Sequence, residues 1–275
     1  MKKAICVVLI FVFLFGAIYS GFQIYEILRE YRVGEEMYTD TQQFISVQPS
    51  KNEIAPTEPD ALVQEQLPQD ETIGFEETTP TEPKPDITFP EVDFEGLMQI
   101  STDVVGWIYI EGTNINYPVV QGKDNRYYIS ALIDGTPNGA GSIFMDYRNA
   151  SDFSDYNTVL YGHNMKNKTM FHDICNYRTQ EYYEAHPIGL IMTPEKNYYF
   201  EIISGYVASL TDSAWQIEFA DETDAHQWIQ GSMERSLFIS YADPTSGDKA
   251  ITLSTCSYEY ANARFVLVGI LKEYD

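Results

Sequence analysis

The hydrophobic positions of this chain fall into three regimes. From about Ala4 to Ile24 they are nearly continuous, a run of roughly 20 residues, long enough to cross a bilayer as a helix. The run exceeds a typical signal-peptide core and no small-x-small cleavage site follows Ala17, so the reading is an uncleaved anchor. Lys2 and Lys3 before it favour a cytoplasmic N-terminus, although Arg29 and Arg32 beyond it dilute that signal. Residues 1–32 are therefore expected to form a cytoplasmic tip and transmembrane anchor.

From about Val33 to Pro90 apolar periodicity disappears. Prolines stand at 49, 56, 59, 68, 80, 83, 85 and 90, among acidic residues such as Glu35, Glu36, Glu58, Asp70, Glu76 and Glu77. Such a stretch buries too little surface to offset chain entropy. Residues 33–90 are thus expected to be a disordered or extended spacer that holds a folded domain off the membrane.

From Glu91 to Asp275 the pattern becomes that of a folded domain. Short β-rich runs recur at 106–110, 115–120, 141–145, 158–161, 188–193, 198–210, 250–254 and 265–271, punctuated by Asn, Gly, Pro and Asp. Helical spacing is read at 126–132, 169–183 and 221–236, the last with Ala225, Trp228, Ile229 and Met233 on one face. Seven or eight short strands with few helices predict a mostly β domain, a closed barrel or a sandwich.

Composition sharpens this picture. The 275 residues carry a formal charge of −24, and no basic cluster interrupts it, so nucleic-acid binding is disfavoured. The three cysteines are Cys6, in the apolar run, Cys175 and Cys256, too few for a disulfide-stapled domain. No His/Cys spacing resembles a zinc site, which disfavours metal catalysis, and no cofactor is implied. An unpaired thiol in an extracytoplasmic domain asks for a role.

In the run 250–256, the period of two puts Ile251 and Leu253 on one face and Thr252, Ser254 and Cys256 on the other. Residues 257–263 form a polar, turn-prone loop, followed by Arg264 and a second strand. If the two strands make an antiparallel hairpin, Cys256 and Arg264 meet across its mouth. Positive charge beside a thiol favours the nucleophilic thiolate, and a guanidinium offers fixed donors to an oxyanion. Against this stands a buried structural cysteine and an ordinary surface arginine. A cysteine nucleophile also needs an acid or base. His163 ends a β run in a polar loop, a setting typical of catalytic groups, whereas His172, His186 and His226 read as bystanders.

The run Thr252-Leu253-Ser254-Thr255-Cys256, with Arg264 eight residues on, resembles the TLxTC…R signature of sortases. Leu160-Tyr161-Gly162-His163 resembles the segment that carries the sortase histidine, and 103–108 and 115–121 extend the likeness through most of the domain. The helix at 221–236 before the cysteine strand is similar to the one class B inserts there. No pilin-type lid motif precedes the domain.

The resemblance implies a closed sortase-type β-barrel of about eight strands with peripheral helices, preceded by one transmembrane helix. It implies catalytic Cys256, His163 and Arg264, with Ser254 and Thr255 lining the substrate site. The implied activity is cleavage of a C-terminal sorting motif of exported proteins through a thioacyl-enzyme, then transfer to a cell-wall peptide amine. For class B the motif would be of the Asn-Pro-x-Thr or a related Pro-x-Thr kind. The implied place is the cell membrane of a Gram-positive bacterium, with the catalytic domain outside. Two other readings stay open: an extracytoplasmic cysteine peptidase that mainly hydrolyses, and a non-catalytic surface-binding module.

Overall fold

The computed structural model describes residues 2–46 and 87–274. Helix α1 (Lys2–Thr41) leads through a 3₁₀ turn to the two-residue strand β1 (Ile45–Ser46). Strand β2 (Glu91–Val92) and helix α2 (Phe94–Ile100) open the domain proper. Then come β3 (Val104–Tyr109), β4 (Asn116–Val120), β5 (Ile143–Met145) and β6 (Asn157–Tyr161). After α3 (Gln180–Ala185) follow β7 (Ile188–Met192), β8 (Asn197–Ala208), α4 (Glu222–Glu234), β9 (Lys249–Cys256) and β10 (Arg264–Tyr274).

Strands β3 to β10 close into a barrel in the order β10-β8-β7-β3-β4-β5-β6-β9. The pairs β4–β5 and β6–β9 are parallel and the others antiparallel. Closure leaves no edge strand within the barrel itself.

The alternation of each strand decides what it fills. Ile251 and Leu253 of β9, with Phe265 and Leu267 of β10, point into the central core beside Ile108, Val119, Leu160 and Ile202. Val266, Val268 and Ile270 point outward and are covered by Ile229 of α4 and by Ala214. A second outer face, around Trp107, Val120 and Phe144, is covered by Leu97 of α2, Ile45 of β1, Tyr128 and Ile133. Peripheral helices make both faces of these strands apolar, and that is why the strands read as continuous hydrophobic runs.

Three expectations need correction. The spacer does not begin at residue 33: α1 continues to Thr41, and Tyr38 and Ile45 are buried against the barrel. Tyr31, Gly34, Tyr38 and Gln42 recur at helical spacing on one face, and burial of that face outweighs the polar flank of Glu35 and Glu36. The expected spacer's remainder lies largely outside the described residues. Within 87–90, Pro90 is buried and Phe89 packs on Tyr274 at 4.9 Å between ring centroids.

Second, the helix read at 126–132 is a single 3₁₀ turn, Tyr127–Ile129. The Tyr128 and Ile129 carbonyls that would continue it accept instead from Ser142 N and the His163 ring. Third, the helix read at 169–183 is broken into a 3₁₀ segment, His172–Asn176, and α3. Met170 has φ of 60°, and Thr179 is extended so that its Oγ1 can accept from Tyr182 N at 3.3 Å as the N-cap of α3.

Candidate active site

Three neighbouring strands deliver the chemistry to one rim. Strand β9 pairs with β10 antiparallel, with Cys256 directly opposite Arg264. The same β9 pairs with β6 in parallel, with Tyr161 opposite Ser254. Because a parallel pair ends at a common level, the loop after Tyr161 arrives beside Cys256. Two hydrogen bonds stitch it there: Gly162 N donates to Ser254 O at 3.1 Å, and Thr255 Oγ1 donates to Gly162 O at 2.7 Å. His163 is the next residue.

The loop from Cys256 to Arg264 is equally constrained. Ser257 N donates to Ala263 O at 2.9 Å, and Asn262 takes a positive φ of 63°. Arg178 reaches in from the 3₁₀–α3 connection, stacks over the Phe265 ring at 4.6 Å and donates to Ser257 Oγ at 2.9 Å. It also pairs with Glu259 at 2.5 Å. Burial raises the Glu259 pKa, but hydrogen bonds from Ser257 and the Arg178 charge outweigh it and keep the carboxyl below its ordinary range. The stacked guanidinium thus locks the loop that spaces Cys256 from Arg264.

Cys256, His163 and Arg264 line a common cleft of about 400 Å³. Its walls are largely apolar, from Ile129, Phe144, Leu210 and Trp215, with Asn125 and Tyr161 on its polar side. His163 Nε2 lies 2.7 Å from the Ile129 carbonyl, and because a carbonyl only accepts, this contact assigns a proton to Nε2. The Arg264 guanidinium donates to Ala263 O at 3.0 Å and pairs with no carboxylate among the described residues. A larger groove of about 810 Å³ elsewhere, lined by Asp152, Thr193 and Lys249 among others, holds no cysteine or histidine. Chemistry, and not volume, identifies the site.

Ser254 and Thr255 also line the cleft, but both are buried and both hydroxyls bond to the protein. Ser254 Oγ accepts from Trp215 Nε1 at 3.0 Å, while Thr255 holds the Gly162 carbonyl. The Ser254–Trp215 bond fixes an indole on the cleft wall.

One carboxylate supports the cleft from behind. Asp146, fully buried, accepts from Tyr161 Oη at 2.9 Å, Asn125 Nδ2 at 2.9 Å and Arg148 Nε at 2.9 Å. Burial works to raise its pKa, but these donors prevail and hold it below the usual carboxylate range. The same partnership pushes the Tyr161 phenol up, with desolvation as the larger cause.

Asn164 was not singled out in the sequence, and the structure places it at the centre. Its Nδ2 donates to the Cys256 carbonyl at 3.0 Å and contacts Cys175 Sγ at 3.4 Å, and its Oδ1 lies 2.8 Å from His172 Nδ1. It therefore ties the His163 loop to the main chain of Cys256. Its signal in the sequence was only adjacency to His163. Cys175 is a different kind of thiol. Burial lifts it to about 11 against the opposing pull of Arg178, which favours the protonated thiol at neutral pH. Among the described residues no three His, Cys, Asp or Glu side chains gather as a metal site.

A closed barrel presenting cysteine, histidine and arginine at one rim defines a cysteine-nucleophile enzyme of the barrel type. The sortase domain family matches residues 108–272. Sortase B of Listeria monocytogenes is 37% identical over 181 residues, 65% of this chain and 74% of that protein. A crystal structure of Staphylococcus aureus sortase B superposes with a TM-score of 0.63 at 35% identity, covering 66% of this chain and 87% of that one. A Staphylococcus aureus sortase B–substrate complex matches at 0.63 and 34%, covering 66% and 85%. The chain belongs to the sortase family and, within it, to class B: it is a sortase-type cysteine transpeptidase.

Proposed function

We propose that this enzyme cleaves a sorting motif near the C-terminus of exported proteins at Cys256 and passes the new acyl end to an amine of a cell-wall peptide. The observation that carries the reading is the register that sets Cys256 opposite Arg264 with His163 on the same cleft. The Cys256 thiolate attacks the scissile carbonyl carbon, forming the C–S bond. Arg264, which has no competing carboxylate partner among the described residues, donates to the oxyanion that develops. His163, as an imidazolium, gives a proton to the leaving nitrogen as the C–N bond breaks. The tail departs and a thioester remains on Cys256.

An incoming amine then attacks the thioester, His163 takes its proton, and collapse breaks the C–S bond and restores the thiolate. Atoms and charges balance over the cycle with no cofactor. A mostly apolar cleft limits water, so the amine has the advantage in the second step. The apolar wall formed by Leu210 and Trp215 suits a proline-containing extended motif, as expected for Asn-Pro-x-Thr or a related sequence. That Staphylococcus aureus sortase B has been solved as a substrate complex supports a substrate-binding role for a cleft of this fold.

The enzyme sits in the cell membrane through α1, the one helix among the described residues long and apolar enough to cross it. Its N-terminus is cytoplasmic and its catalytic domain extracellular.

The test uses the full-length protein with a set of quenched sorting peptides, with and without an amine acceptor, followed by mass spectrometry. A thioacyl adduct on Cys256, absent in Cys256→Ala, and a product ligated to the acceptor are expected. Cleavage that the acceptor leaves unchanged would convert the reading to that of a hydrolase. Cleavage that survives in Cys256→Ala would end it.

A further inference from the structure

Helix α1 runs unbroken for 40 residues, about 60 Å at 1.5 Å per residue, twice the ~30 Å hydrocarbon core of a bilayer. No charged residue occurs from Ala4 to Tyr25. Between Leu9 and Leu28 large apolar side chains are exposed around the whole helix, with Phe13 at 79% and Ile18 at 72%. The first contact with the barrel follows almost at once. Asn138 Nδ2 donates to Glu30 O at 2.9 Å, Gly34 packs so closely that a Cβ would lie 3.2 Å from Ala140 Cβ, and Asn167 Nδ2 donates to Glu35 Oε1 at 2.8 Å.

Further along, Tyr38 is buried. It donates to Gly141 O at 2.6 Å, and its ring meets Tyr117 edge-on at 5.3 Å. Gln42 exchanges two hydrogen bonds with Asn116, at 2.8 and 2.6 Å. The chain then leaves at β1 and re-enters at β2, where Ile45 pairs with Val92 and Ser46 with Glu91. Because exit and re-entry are side by side, the acidic, proline-rich segment adds no reach between the membrane helix and the barrel.

We propose that α1 is a rigid strut that holds the catalytic barrel at a fixed, short height over the lipid surface, with the His163 rim on the membrane-proximal side. The inference rests on the proposed membrane placement of α1. The order of contacts along the helix sets the orientation. The segment that carries Ile129 meets α1 at Glu30 and Gly34, and the loop after His163 meets it at Glu35. These levels lie about 6 to 14 Å beyond Glu26, the first charge after the span, at 1.5 Å per residue. Asn116 and Gly96 are met only at Gln42 and Phe44 of the 3₁₀ turn that follows α1, about 24 to 29 Å beyond Glu26 at 1.5 Å per residue to Thr41 and 2.0 Å after it. Lipid is thus the partner nearest this rim, and a substrate still held in the bilayer presents its motif at the height of the cleft.

The full-length protein in phosphatidylcholine–phosphatidylglycerol nanodiscs decides the matter by hydrogen exchange and energy transfer. A strut predicts amides of residues 28–41 protected on the order of 100-fold or more over free chain, as in the barrel. A fluorescent amino acid at exposed Lys166 should transfer more energy to headgroup acceptors than one at exposed Glu95, the neighbour in sequence of Gly96, which packs on Phe44. Free-chain exchange at 28–41, or equal or inverted transfer, overturns the proposal. The double variant Gly34→Phe/Tyr38→Ala should lose the protection and cut a membrane-anchored substrate about 10-fold more slowly while cutting soluble peptide as before. Equal loss on both substrates, or none, also counts against it. A wild type that cuts no soluble peptide would refute the functional reading instead, leaving exchange and transfer to judge the strut.

Discussion

At the scale of the residue, Asn164 has the largest consequence for its size. Its amide spans from the loop that carries His163 to the carbonyl of Cys256, and His172 fixes which way the amide faces. His172, read from the sequence as a bystander, thus holds the Asn164 amide by this contact. Asn164→Ala should leave peptide binding nearly unchanged and lower kcat about 10- to 100-fold, the scale of a misplacement of about 1 Å. His172→Ala should give a smaller loss of the same kind, and the double variant should be no worse than Asn164→Ala alone. Steady-state kinetics on a quenched peptide reads this split, since a purely structural defect would lower the active fraction and show no such coupling. Arg264→Lys should cost about 10²- to 10³-fold in kcat, because an ammonium cannot present two fixed donors toward an oxyanion. The Cys256–Arg264 pairing was legible from alternation and loop length, because a strand's period of two leaves little freedom. Trp215 and Arg178 were not, since each enters the site from a segment distant in sequence, and Asn164 was not, since adjacency to His163 gave no sign of its bond to the Cys256 carbonyl.

At the scale of the element, the short strands β5 and β6 depend on Asp146, which joins the end of β5 to Tyr161 of β6 and to Asn125 of the cleft. The donors around its carboxylate hold its pKa below the ordinary value in the folded state. Its stabilising contribution is therefore complete above about pH 4, where the unfolded carboxyl is ionised, and is lost as pH falls through the lower folded pKa. Asp146→Asn should lower stability by about 1–3 kcal/mol at pH 7, the range for hydrogen bonds to a charged group. The gap should close progressively as pH falls below about 4, first as the unfolded carboxyl protonates and then as the folded one does at its lower pKa. Urea midpoints of both proteins at pH 7, 5 and 3 measure it, and a gap that widened in acid would contradict the sign. Elements were most legible where burial follows a period, as in α4 and the long strands. They were least legible where backbone groups are diverted, as at Tyr127–Ile129, whose carbonyls serve Ser142 and His163 instead of a helix.

At the scale of the whole molecule, the boundary that composition suggests is not the one that packing makes. Charge and proline place the domain start near Glu91, yet Tyr38 and Ile45 belong to the same buried clusters as the barrel strands. The signal was present in the spacing of Tyr31, Gly34, Tyr38 and Gln42, but the acidic segment that follows it dominated the reading. A protein cut at Glu91 loses the burial of Tyr38 and Ile45, the partner strand of β2 and the cap on Asn116. At about 1.5–3 kcal/mol per buried apolar side chain, less what the exposed groups recover by hydration, it should be about 2–4 kcal/mol less stable than a protein starting near Arg29. For a domain of this size that is a fall in Tm of roughly 5–15 °C, read by thermal unfolding of the two truncations side by side. Equal melting points would mean that the helix only touches the barrel. A fall of the expected size would make residues 30–46 part of the catalytic domain, so that the long apolar helix α1 and the fold holding Cys256 are one continuous piece of structure.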